Sequence, residues 1–261
     1  MVPTSKASLL EKNYKRNQCD PCFSCHLGQA GSTWASMKPN RIESIILAVI
    51  AVALVWGLIV CMRSEEVFRE RFVVEDGWIE WITVFALAAG AVLFLKRAFT
   101  LTDKPWVFFR LACFGAGLLL IFGAGEEISW GQRLFGLEAP DIIKDHNKQS
   151  ELTLHNLVIG GVSINKLFSK MLAVGIISYT LILPILYRKF DGVKRFVERF
   201  AIPIARPIHT VAWVILIGFT EGVIPSKKSG EMTEFGGSLL FLLIFLFPLN
   251  DYLFRKIRSA G

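Results

Sequence analysis

The sequence predicts an all-α polytopic membrane protein, a bundle of about six transmembrane helices with short surface helices. Three observations carry that expectation. Hydrophobic residues fill 53% of 261 positions and Phe alone accounts for 21 of them. Mean hydropathy is +0.48, above what a soluble domain of this size carries. Apolar runs recur at lengths that match the roughly 17 to 25 residues a helix needs to cross a bilayer.

Taken in order, the runs are Ser44 to Met62, Trp78 to Leu95, Pro105 to Ala124, Met171 to Tyr187, Pro207 to Ile224 and Met232 to Asn250. Pro105 suits the first turn of the third helix, where a missing N–H costs nothing. The fifth run is the weakest, with Pro203 and Pro207 crowding its start and Glu221 interrupting its far end. Two amphipathic stretches between spans, VFRERFVVE from Val67 and DGVKRFVERF from Asp191, read as the surface helices. Cys61 and Cys113 fall inside spans as packing residues. Gly115/Gly117, Gly160/Gly161 and Gly236/Gly237 read as places of close helix approach.

Charge gives an orientation. Lys and Arg concentrate in the N-terminal tail, between spans two and three, between Arg188 and Arg206, and at the C-terminus. In a six-span chain all four segments share one face. By the positive-inside rule that face is cytoplasmic, so the chain is expected in a bacterial inner membrane with both termini inside. The opposite face holds 15 of the 22 carboxylates. A net charge of +7 scattered among loops beside spans argues against a nucleic-acid partner, and membrane lipids are the expected contacts.

Residues 1–36 form a separate region in this reading, a disordered or non-native extension, with residues 37–261 as one membrane domain. Cys22, Cys25 and His26 spell the C-x-x-C-H pattern of haem attachment. That chemistry belongs to the outer side of the membrane, whereas the charge rule leaves this tail inside, which argues against haem. MKPNRIESIILAV, from Met37, has the basic lead and apolar run of a natural start.

The candidate site lies where the third span ends, in GEEISWGQRLFG from Gly125. If the helix continues, Glu126, Ser129, Trp130 and Arg133 share one face and Glu127 points about 100° away. Glu80, between Trp78 and Trp81, lies at the same depth by helical rise, as do Glu221 near the end of the fifth span and Glu231 and Glu234 at the start of the sixth. Ionisable residues beside spans usually face a protein interior or a wet cavity. In the following connection Asn147, Glu151 and His155 recur at intervals of four, which predicts a short helix with its polar stripe turned toward Glu126 and Glu127.

GEEISWGQR together with Asn147, Gln149, Glu151, His155 and Asn156 resembles an uncharacterised bacterial family of multi-span membrane proteins bearing EEISWGQR and LHN signatures. The resemblance covers Gly125 to Asn156 and the span pattern, and implies no particular activity. A fainter similarity, to alkaline ceramidase-like membrane hydrolases, implies a zinc held by three histidines. Only His155 fits, because His209 falls at the opposite end of the fifth span and no paired C-terminal histidines exist.

Three functions follow from these residues. In a hydrolase or transferase for a lipid or lipid-linked substrate, Glu126 or Glu127 is the base, His155 the acid, and Arg133 a phosphate or oxyanion partner, with Glu151 beside them. Glu127, Glu151 and His155 could instead hold a divalent cation, with Glu80 and Glu221 as outlying ligands or an ion path. As a transporter, the same carboxylates relay ions or protons. As a scaffold, the cluster docks the loop onto the bundle and presents it to partners.

Overall fold

The computed structural model describes residues 38–101, 107–136, 158–159 and 162–255, and of residues 133, 134, 158, 159 and 162–170 the backbone alone. Five helices within it are long and apolar enough to cross a membrane. The tail with Cys22, Cys25 and His26, the segment containing Pro105, and the loop containing Glu151 and His155 lie outside the described residues.

Helix α1 spans Arg41–Arg63. It begins on a capping box: the Asn40 side chain accepts from the Glu43 N–H at 2.9 Å, and the Glu43 carboxylate accepts from the Asn40 N–H at 2.8 Å. This satisfies two of the backbone donors every helix start leaves open. The amphipathic stretch after α1 is a short turn, Glu65–Val67, running into one π-helical turn, Phe68–Phe72. Phe68, Phe72 and Val73 are buried in the main core, so the stretch folds against the bundle.

Helices α2, Trp78–Thr100, and α3, Val107–Glu127, form a closely packed pair. A Cβ at Gly117 would lie 2.8 Å from Leu95, which explains that glycine; Gly115 has open space beside it and needs no such account. After α3 come a tight turn, Ser129–Gly131, and the four-residue helix α4, Gln132–Phe135. A two-residue antiparallel ladder pairs Val158 with Ser163 and Ile159 with Val162.

Helix α5, Ile164–Ile177, continues through a π-helical turn, Ser178–Ile182, into α6, Leu183–Lys189. The widened turn leaves the Thr180 carbonyl able to accept from the Thr210 hydroxyl at 2.7 Å. The second amphipathic stretch is helix α7, Asp191–Arg199.

Helix α8, Pro207–Gly222, is the fifth expected span. Its 16 residues rise about 24 Å, short of a hydrocarbon core of roughly 30 Å, and it is not among the five long helices. Helix α9, Ser229–Leu246, is the least apolar of the five and the most enclosed, with 56% of its span buried against 17% for α3. It packs on α1, α2 and α8 and is the axis of the main core. The α8 contact is close because Cβ atoms at Gly236 and Gly237 would each lie 2.6 Å from Leu216 and Trp213.

Contacts between helix ends fix the directions. Arg97 late in α2 donates to the Phe245 carbonyl late in α9 at 2.6 Å, Glu43 early in α1 meets Arg206 and His209 at the start of α8, and Thr233 early in α9 donates to Thr220 late in α8 at 2.8 Å. Successive long elements therefore run in alternating directions. One end of the bundle gathers the carboxylates of the candidate site, and the other gathers Arg97, Arg206 and the basic helix α7.

Candidate functional site

GEEISWGQRLFG does not continue as a helix. Helix α3 stops at Glu127, and Ser129, Trp130 and Gly131 follow with φ of 48°, 53° and 78°. Three consecutive left-handed residues reverse the chain, and for Ser129 and Trp130 that conformation is strained, at about 1 to 3 kcal/mol each. The expected common face of Glu126, Ser129, Trp130 and Arg133 is therefore absent. A different contact joins two of its members: the Trp130 indole N–H donates to Glu126 Oε1 at 2.7 Å. The Trp130 ring folds back over Gly125, where a Cβ would lie 2.9 Å from it, and meets Phe122 edge-on at 5.4 Å. Glu126 and Ser129 are buried by this fold-back.

Glu127 is half-buried and turned elsewhere. Together with Glu80 and Glu231 it acts electrostatically on Glu234, so carboxylates from α2, α3 and α9 converge on one place. Glu234 keeps exposed surface. Glu80 is tied locally as well, accepting from the Asp76 N–H at 2.9 Å at the start of α2. Glu221 stands exposed on the last turn of α8 and is not among the carboxylates acting on Glu234. Backbone alone is described for Arg133, and Glu151 and His155 lie outside the described residues.

No family profile, characterised protein or solved structure matches the chain. Among the described residues no three His, Cys, Asp or Glu side chains come together as a metal site requires. Two of the three expected ligands, Glu151 and His155, are outside that set.

The opposite end carries groups that the sequence did not single out. Glu43, fully buried, accepts from Arg206 Nη1 at 2.5 and 2.7 Å and lies 2.9 Å from His209 Nε2; His209 is also fully buried. The Arg206 N–H points at His209 Nδ1 at 3.4 Å. That assigns the hydrogen to Nε2, which then donates to Glu43. Asn40-x-x-Glu43 at the start of an apolar run was the legible signal for the cap; nothing local predicts partners 163 and 166 residues away.

Arg97 is buried at this end beside the rings of Phe94 and Phe254, at 5.4 and 4.0 Å, and its Nη1 has no hydrogen-bond partner among the described residues. Tyr252 donates to buried Glu198 of α7 and lies 3.0 Å from the Tyr187 hydroxyl. Burial, and then the bond to Glu198, push the Tyr252 phenol well above its ordinary value.

Proposed function

We propose that the chain is a membrane-embedded hydrolase or transferase acting on a lipid or lipid-linked substrate at the carboxylate end of the bundle. In this reading it sits in a bacterial inner membrane with that end outward and both termini inside, as the charge distribution suggests, and it belongs with the EEISWGQR-bearing proteins it resembles.

The observation that supports the reading best is the strained turn. Two non-glycine residues in the left-handed region, directly after paired carboxylates and beside three more on α2 and α9, are the kind of stored strain that accompanies a constructed site. The two adjacent acids have different surroundings. Glu126 is buried under Trp130 and positions the turn. Glu127 faces the other carboxylates and is the general base in this proposal, with a neighbouring carboxyl or His155 returning the proton. Arg133 would meet the developing negative charge.

A second reading draws on the bond between Trp130 and Glu126, which would equally well fix a docking platform for the following loop. One experiment separates the two. Cells lacking the protein are complemented with the wild type or with Glu127→Gln, and their lipids are profiled by mass spectrometry. The enzyme reading expects one lipid class to change with the wild type only, with both proteins recovered at equal amounts and melting temperatures. Unfolding of Glu127→Gln favours the platform. Unchanged lipids together with ion flux across proteoliposomes would replace both readings with transport.

A further inference from the structure

Helix α7 starts one residue after α6 ends, at the basic end of the bundle, and its two sides differ. Val197 and Glu198 are buried, with Glu198 bonded to Tyr252. Arg195, Phe196 and Arg199 fall within an arc of about 100° on the other side, and all three are exposed. Phe196 is 54% exposed beside these two cations, which is the pairing of apolar and basic groups that settles at a bilayer surface.

Ring contacts set the depth of this face. The Arg199 guanidinium lies 4.5 Å from the centre of the Phe108 ring, in the first turn of span α3. Phe108 meets Phe200 at 5.8 Å and Phe200 meets Phe196 at 4.8 Å, so a row of rings runs from the start of that span to the exposed face of α7. The first turn of a span lies at the level of the lipid headgroups. Arg195 and Arg199 form no hydrogen bond or ion pair among the described residues, although Asp191 stands one turn before Arg195. Like charges four residues apart on a helix repel, and an anion between them removes that cost.

We propose that this face of α7 seats the headgroup of an anionic phospholipid in the leaflet at the basic end. The guanidinium forks match phosphate oxygens, and Phe196 enters the acyl boundary beside them. An acidic protein would satisfy the arginines from the water side and leave Phe196 exposed.

Phosphatidylglycerol and phosphatidylcholine with identical chains form the test, because both carry a phosphate and only the second cancels it with an ammonium. Purified full-length protein is loaded from vesicles holding equal amounts of both, returned to detergent, and its retained lipid counted by native mass spectrometry. The wild type should retain more phosphatidylglycerol. Arg195→Gln with Arg199→Gln should lower the ratio by about fivefold for each arginine removed, the worth of one basic residue at an anionic surface. Arg195→Lys with Arg199→Lys keeps the charge and should keep most of the ratio. Arg63→Gln with Lys227→Gln removes the same charge from exposed positions at the opposite end and should leave the ratio unchanged. If the glutamine pair melts early through loss of the Phe108 contact, Arg195→Gln alone carries the fivefold expectation.

Equal retention of the two lipids, an unchanged ratio in the glutamine variants, or an equal fall in the Arg63 and Lys227 variant would overturn the proposal. So would capture of polyglutamate through Arg195 and Arg199 with both lipids retained equally, which would make the face a docking site for an acidic protein.

Discussion

Replacing Glu43 by alanine removes the carboxylate that joins the start of α1 to the start of α8. It takes away the acceptor for Arg206 at 2.5 and 2.7 Å, for His209 at 2.9 Å and for the Asn40 N–H at 2.8 Å. His209 is fully buried, and the Arg206 side chain is 17% exposed with a further neighbour of its own. Truncating one member of a buried pair costs about 3 to 5 kcal/mol, mostly through the charge left behind. The lower figure applies because Arg206 retains some water and another contact. At about 2 to 4 °C per kcal/mol for a chain of this size, the melting temperature should fall by roughly 6 to 12 °C. Glu43→Gln keeps one acceptor and should lose about half as much, the difference between charged and neutral hydrogen bonds. Melting in detergent, followed by loss of the monodisperse chromatographic peak, measures both. His209→Ala added to Glu43→Ala should cost little more, since the two act as a unit. A Glu43→Ala protein melting within 2 °C of the wild type, or no lower than Glu43→Gln, would refute the claim that this contact holds the two helices.

Three further outcomes are expected. Gly237→Ala should destabilise by about 1 to 3 kcal/mol, the usual range for overpacking, because its Cβ would lie 2.6 Å from the buried Trp213 ring; an unchanged melting temperature would show that α8 and α9 slide freely. Trp130→Phe removes the donor to buried Glu126 and should cost about 1.5 to 3 kcal/mol, as for bonds to charged groups, with local hydrogen exchange rising at residues 125–131 first. The bond from Tyr252 to Glu198 needs the phenol protonated. Its stabilisation should be fully present below the ordinary phenol value of about 10 and be lost as pH rises through the elevated folded value. Wild type and Tyr252→Phe should accordingly converge in melting temperature only on the alkaline side.

What the sequence discloses depends on the range over which each feature is determined. Apolar runs and their lengths are local, and they lead to α1, α2, α3, the second half of the α5–α6 element, and α9. Depth along a span is also local, so Glu80, Glu127, Glu231 and Glu234 could be assigned to one level by counting residues. The break after Glu127 was not readable: EEISW contains no proline, and only the left-handed run through Gly131 ends the helix. Nor was the length of α8, whose apolar run exceeds its helix by two residues at Val223 and Ile224. The contact of Glu43 with Arg206 and His209 joins the first and fifth runs, and no periodicity within either one announces it. Glu221 shared a depth with the other carboxylates but not a direction, and depth alone cannot distinguish the two.

The π-helical turn at Ser178–Ile182 gives the long α5–α6 element a splice point. Such a turn holds one residue more than a regular helix would over the same rise. Deleting one residue there should therefore restore an unbroken α-helix, which lengthens no loop and exposes no apolar surface. The flanking segments would keep their registry, because the widened turn is what absorbs the extra residue. The Thr180 carbonyl would then be taken up within its own helix, and Thr210 would lose its acceptor across the interface. One residue in the widened turn thus supplies the span with a backbone acceptor for Thr210 of α8.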